Sequence, residues 1–146
     1  MVLTAAADPV PAARLATLHD VSPSYLAKQL QALSRAGLVH SVQGKTGGYV
    51  LTREPAEISV LDVVQAVDGA NPAFTCTEIR QRGPLGTPPE QCTGPCPIAR
   101  VMGAADAAWR ASLAAVTIAD LAASVTTDSG PAALPTVGAW LTRAPE

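Results

Sequence analysis

The chain has 146 residues, of which 48% are hydrophobic, enough for a compact core, and no stretch approaches the roughly 20 consecutive apolar residues that a membrane span needs. Net charge is only −2, which by itself disfavours a nucleic-acid partner. The charge is unevenly spread, however: between positions 14 and 53, Arg14, Lys28, Arg35, Lys45 and Arg53 stand against Asp20 alone, a local net of +4, while the residues after Arg53 carry −5.

A basic segment on an acidic body is the pattern of a phosphate-facing surface. No basic region followed by an apolar run and a cleavage site opens the chain, so a cytoplasmic protein is expected. Three cysteines are an odd number, which argues against a closed disulfide framework and leaves thiol chemistry or metal ligation open.

In chain order, a short apolar beginning and a loop at Pro9 lead to a helix from about Pro11 to Leu18, and His19-Asp20-Val21 forms a turn. Ser22 then caps a second helix with Pro23 in its first turn, and Gly37 stops it. Leu26, Leu30 and Leu33 fall at i, i+4 and i+7 and make its inward stripe. Ser24, Lys28, Gln31 and Arg35 lie on the opposite side, with Tyr25 on the flank. Two helices joined by a short turn, the second polar outside, predict a helix-turn-helix whose second helix enters the major groove.

Beyond Gly37 the period changes. Leu38, Val39 and Val42, then Tyr49, Val50 and Leu51, are β-prone runs bracketing Gly44 to Gly48, which predicts a hairpin with Lys45 and Thr46 at a basic tip. Gly44-Lys45-Thr46 imitates the end of a phosphate-binding loop, but the first glycine of that motif would fall at position 39, which is Val39, and a strand pattern follows where a helix should. Lys28, Arg35 and Lys45 are candidate phosphate contacts. Ser22, Ser24, Tyr25, Gln31, Gln43 and Thr46 are candidate base or groove contacts.

Ser59 with Asp62 reads as a capping box opening a packing helix with Val60, Val63, Val64 and Val67 on one face and Gly69 at its end. Residues 70–97 are rich in proline and glycine, lack periodicity and hold every cysteine of the chain: Cys76, Cys92 and Cys96. Long loops inside compact domains are usually functional or disordered. Thr-Gly-Pro between Cys92 and Cys96 is a turn-forming spacer that can bring two sulfurs to one centre. Soft thiolates suit an iron–sulfur cluster, zinc or cuprous copper, and a thiol switch or inert cysteines remain open on spacing alone.

From Ile98 to about Val116 an amphipathic helix carries Val101, Met102, Ala105, Trp109 and Leu113 on one stripe, and so long an apolar face predicts packing on a second copy. Thr117 and Asp120 open a short helix ending near Val125. The remainder, with Trp140 in it, reads as a mobile tail.

With these pieces placed, the chain resembles the IscR/NsrR-type, or Rrf-type, winged-helix regulators, bacterial repressors that sense iron–sulfur status, nitric oxide or redox state. The resemblance covers about residues 10 to 125 and is densest from Ser22 to Gly69 and at the three loop cysteines. It implies a mainly α fold with a small β-hairpin wing: a winged helix-turn-helix at 1–69, a sensor loop at 70–97, a dimerisation helix and short following helix at 98–125, and a flexible tail at 126–146. It also implies a homodimer on a palindromic operator in double-stranded DNA, with an iron–sulfur cluster held by Cys76, Cys92 and Cys96, [2Fe–2S] placed ahead of [4Fe–4S]. The chain departs from the family in three ways. Its first cysteine gap is wide, fifteen residues; Gln43 and Lys45 replace a common arginine and proline of the wing; and the family's longer first helix, which often supplies the remaining ligand, is not seen before this start, so the fourth ligand is unassigned and either the opening is truncated or the protein does without that helix. The alternatives are a cluster-free thiol-switch regulator and a winged-helix module that binds protein. No nucleophile, base and orienting group come together, so no enzyme is expected.

Overall fold

A computed structural model describes residues 9–44 and 47–143. Among them are six α-helices and one two-stranded antiparallel sheet: α1 (Ala12–Leu18), α2 (Pro23–Arg35), β1 (Val39–Val42), β2 (Gly48–Leu51), α3 (Val60–Asp68), α4 (Pro97–Ala114), α5 (Ile118–Ser129) and α6 (Ala133–Thr142). Lys45 and Thr46, the expected hairpin tip, lie outside the described residues. The chain divides into two compact units, Met1–Gly69 with Ala114–Glu146, and Ala70–Leu113.

The first unit is built on α2. Ser22 Oγ accepts the Tyr25 N–H at 3.2 Å, Pro23 occupies the first turn, and the helix closes when Leu38 N–H reaches back to Leu33 C=O at 2.9 Å across Gly37, whose φ of +70° is strained for any residue with a Cβ. The leucine stripe is buried as its spacing requires, with Leu30 fully enclosed, and it meets Leu15 and Ala16 of α1, Leu38, Val39 and Ile58. Each large aliphatic side chain so enclosed contributes about 1.5–3 kcal/mol of transfer free energy.

The hairpin pairs Val39 with Leu51 and Val42 with Gly48. Val10 adds a bridge to Tyr49, through Val10 N–H to Tyr49 C=O at 3.0 Å and the reverse bond at 2.9 Å. That approach explains one glycine: a Cβ on Gly48 would stand 2.4 Å from the Val10 carbonyl.

Two capping boxes meet back to back. Ser59 N–H reaches Asp62 Oδ2 at 2.8 Å and Asp62 N–H returns to Ser59 Oγ at 3.1 Å; Thr117 and Asp120 repeat the exchange at 2.8 and 3.1 Å. The caps also pair with each other, Val60 N–H to Val116 C=O at 2.8 Å and Ile118 N–H to Ile58 C=O at 2.9 Å. α3 and α5 therefore start from one short bridge.

The stretch expected to be a mobile tail is helical over most of its described residues: α5 continues to Ser129, and α6 follows after Gly130. Leu141 is 3% exposed within the core of the first unit, the head of the protein, with Val137 and Trp140 packed against that core. The Arg14 guanidinium stacks 3.9 Å from the centre of the Trp140 ring and donates to the Trp140 carbonyl. Small residues, Gly138 and Pro135 hide this helix from a periodicity reading, because tertiary burial rather than intrinsic propensity holds it.

In the second unit, α4 has 18 residues, about 27 Å. Its apolar stripe is open among the described residues: Val101 is 68% exposed and Trp109 47%, with Ile98 and Met102 also exposed. Val116 falls beyond its end.

Candidate functional site

The outer face of α2 presents Ser24, Tyr25, Lys28, Gln31 and Arg35, all exposed, as is the capping residue Ser22. Ser22 and Ser24 hydroxyls lie 3.3 Å apart, and Arg35 Nε leans back toward Gln31 C=O at 3.4 Å. Two open grooves flank this ridge. Toward the carboxyl end of α3, a groove of about 710 Å³ is lined by Lys28, Gln29, Ala32 and Arg35 with Gln65 and Asp68. Toward the hairpin, one of about 410 Å³ is lined by Gln31, Ser34, Arg35, Ser41 and Tyr49.

The predicted stripe is thus parted into a cationic side, with Lys28 toward α3, and a polar side, with Gln31 toward the hairpin, and Arg35 borders both. Ser34, Ser41 and Tyr49 are not among the residues that the sequence assigns to the DNA-facing surface. Ser41 and Tyr49 are directly opposite in the hairpin register, so pairing the predicted strands would have found them; Ser34 lay beside the expected stripe. Gln43 is exposed just after β1. The head carries one further charge adjustment: the Ser59 backbone N–H, then its hydroxyl, then Arg53 hold Asp62 below the ordinary carboxylate range.

All three cysteines belong to the second unit, and all are free: Cys76 and Cys92 half-buried, Cys96 buried. Their loop contains two 3-10 turns, Pro89–Gln91 and Ile79–Gln81. Its start is tied to α4, where Arg110 pairs with Asp106 at 2.6 Å and donates to the carbonyls of Ala70 at 3.2 Å and Asn71 at 3.0 Å. Cys96 immediately precedes α4 and its carbonyl accepts the Arg100 N–H at 3.0 Å. Beside Cys76, Glu78 and Arg80 form an ion pair at 2.6 Å, and Arg80 holds the Glu78 carboxyl below its usual range. Neither charged residue gave a signal in sequence, since an irregular loop has no period to break.

In kind, three soft thiol donors fit an iron–sulfur cluster. In placement they are not yet gathered: among the described residues no three Cys, His, Asp or Glu side chains converge to hold a metal ion. No helix among them is long and apolar enough to cross a membrane.

Residues 1–124 match the Rrf2 family, described as an iron-dependent transcriptional regulator. Over 76 residues the chain is 38% identical to the HTH-type transcriptional regulator IscR of Escherichia coli (strain K12 / DH10B), a stretch covering 52% of this chain and 47% of that relative, so the chain spans about half the length of the curated relative it matches. Among solved structures it is similar to CymR (YrzC), the global cysteine regulator of Bacillus subtilis, with TM-score 0.57 and 27% identity over 80% of this chain and 79% of that one. It is also similar to the oxidized form of Staphylococcus aureus CymR, with TM-score 0.55 and 25% identity over 80% and 78%.

Proposed function

The chain belongs to the Rrf2 family of transcriptional regulators, and from that membership we propose a homodimeric repressor that binds a palindromic operator and is controlled through Cys76, Cys92 and Cys96. Its relatives are regulators of transcription, not enzymes. α2 enters the major groove, Gln31 with Ser34 and Ser41 facing base edges on the hairpin side, Lys28 and Arg35 facing phosphates. Lys45 and Thr46 are assigned to the hairpin's DNA contact from sequence. The exposed apolar stripe of α4 is the surface for the second protomer, because a 27 Å helix left open to water on that scale is otherwise costly.

The observation that carries the control is that all three thiols sit in one compact unit, the last of them at the first turn of α4. Cys76, Cys92 and Cys96 would hold the cluster. When bound, it supplies a redox- and nitric-oxide-sensitive centre. The chain's own contribution is mechanical: Cys96 adjoins α4, so whatever fixes its sulfur fixes the start of the helix that joins protomers. The test is purification without oxygen, with iron and acid-labile sulfide assayed against protein, then operator shifts of loaded and stripped protein. Iron and sulfide with a difference in operator affinity support the reading; colourless protein lacking both sinks the cluster.

Two observations favour a second reading, a cluster-free thiol switch: the three sulfurs do not converge among the described residues, and a relative of matching fold has been solved in an oxidized form. Operator affinity that changes with thiol oxidation in iron-free protein is its signature. A module that binds only protein is excluded by any operator shift at low salt.

A further inference from the structure

One guanidinium in the 70–113 unit joins the two halves of the cysteine loop. Cys76 Sγ accepts the Glu78 N–H at 3.4 Å. Glu78 itself is held at φ 51°, ψ 55°, a left-handed conformation that costs a residue with a Cβ. That conformation accompanies a two-point ion pair in which its carboxylate takes Arg80 Nε at 2.6 Å and Arg80 Nη2 at 2.9 Å. The same Nη2 donates to the Gly94 carbonyl at 2.9 Å, midway between Cys92 and Cys96. The Arg80 carbonyl in turn accepts the Thr87 N–H at 2.7 Å, closing the intervening loop. Arg80 is held charged foremost by Glu78, and Cys92 and Cys96 act in the same direction.

We infer that Arg80 is a positioning residue of the cysteine centre, clamping the Cys92–Cys96 bend to the Cys76 segment so that the two stretches of loop that carry the thiols stay together. The planar fork suits this task because it serves a carboxylate at two points and still reaches a backbone carbonyl; a lysine keeps the charge but not the geometry. Glu78 is the clamp's fixed end, and the bond to Gly94 is its moving end. The inference rests on the reading of Cys76, Cys92 and Cys96 as the control site, and the test separates the two.

Metal-free full-length protein is alkylated with iodoacetamide under native conditions, and the rate at each cysteine is followed by mass spectrometry in wild type, Arg80→Gln and Arg80→Lys. Cys96, only 4% exposed, is expected to react about tenfold faster in Arg80→Gln, the scale of losing one charge-assisted hydrogen bond from a local opening equilibrium, with Arg80→Lys between the two. Opening of the Cys92–Cys96 bend uncovers the enclosed Cys96 sulfur, so acceleration reports loss of the clamp. Circular dichroism identical to wild type keeps global unfolding from imitating the result, and Glu78→Gln, which leaves the Gly94 bond, serves as a milder second variant expected to accelerate Cys96 less. Unchanged or slower Cys96 alkylation in Arg80→Gln overturns the clamp. Cobalt(II) titration of the same samples reports on the control site itself: absent thiolate-to-cobalt absorption in wild type counts against the metal-centre reading, while the alkylation rates still decide the clamp.

Discussion

Replacing Lys28 by alanine isolates the electrostatic part of DNA binding. Lys28 is exposed on the cationic side of α2 and enters no ion pair among the described residues, so its removal should leave stability within about 0.5 kcal/mol. Each neutralised phosphate contributes about 0.9 to the slope of log affinity against log salt, so two copies in the proposed dimer should lower the slope by about 1.8. Between 50 and 200 mM salt, a fourfold change, the advantage of wild type over the variant should shrink about 12-fold. Fluorescence anisotropy with an operator duplex and an unrelated duplex of equal length, at four salt concentrations, measures both slopes. The shift should be the same on both DNAs, because a phosphate contact reads no sequence. Parallel lines for wild type and variant would refute the assignment of Lys28 to the DNA backbone, and a loss confined to the operator would move it to base recognition.

Two further outcomes follow from the head's construction. Leu141→Ala, a truncation in the core shared with Leu15 and Leu30, should cost about 2–5 kcal/mol in urea unfolding; a loss below about 0.5 kcal/mol would show that α6 does not dock in solution. Ser59→Ala should cost about 1 kcal/mol through its cap. Because the folded Asp62 carboxyl is held below its ordinary value, its contribution is complete above about pH 4 and fades as pH falls through the lowered value. Asp62→Asn should flatten that part of the acid unfolding curve, and an unchanged curve would contradict it.

Much of the head was legible because its signals are local. A serine, a proline and a glycine bound α2, leucines at i, i+4 and i+7 declare its buried side, and Ser59-Asp62 and Thr117-Asp120 are caps whose partners lie three residues away. What was not legible depends on partners far along the chain. α6 is held by Arg14 and the core, 126 residues separating Arg14 from Trp140, and nothing in its small-residue composition announces them. Glu78 and Arg80 could not be read because their meaning lies in Gly94, across an aperiodic loop. The cysteines were read as a group by clustering, and that no three ligating side chains converge among the described residues is a three-dimensional property that spacing does not encode.

The doubled cap bridge has a topological consequence. Since Ile58–Val60 and Val116–Ile118 clasp the chain on both sides of the excursion that carries the thiols, the 70–113 unit is an insert in a host whose two flanking strands of chain are pinned together. Lengthening such an insert costs little, about 0.6 kcal/mol for each doubling, which is why a fifteen-residue interval between Cys76 and Cys92 places little burden on the head. The same clasp makes the protein a natural candidate for splitting: a chain nicked within the 82–88 segment keeps both fragments attached to one folded host.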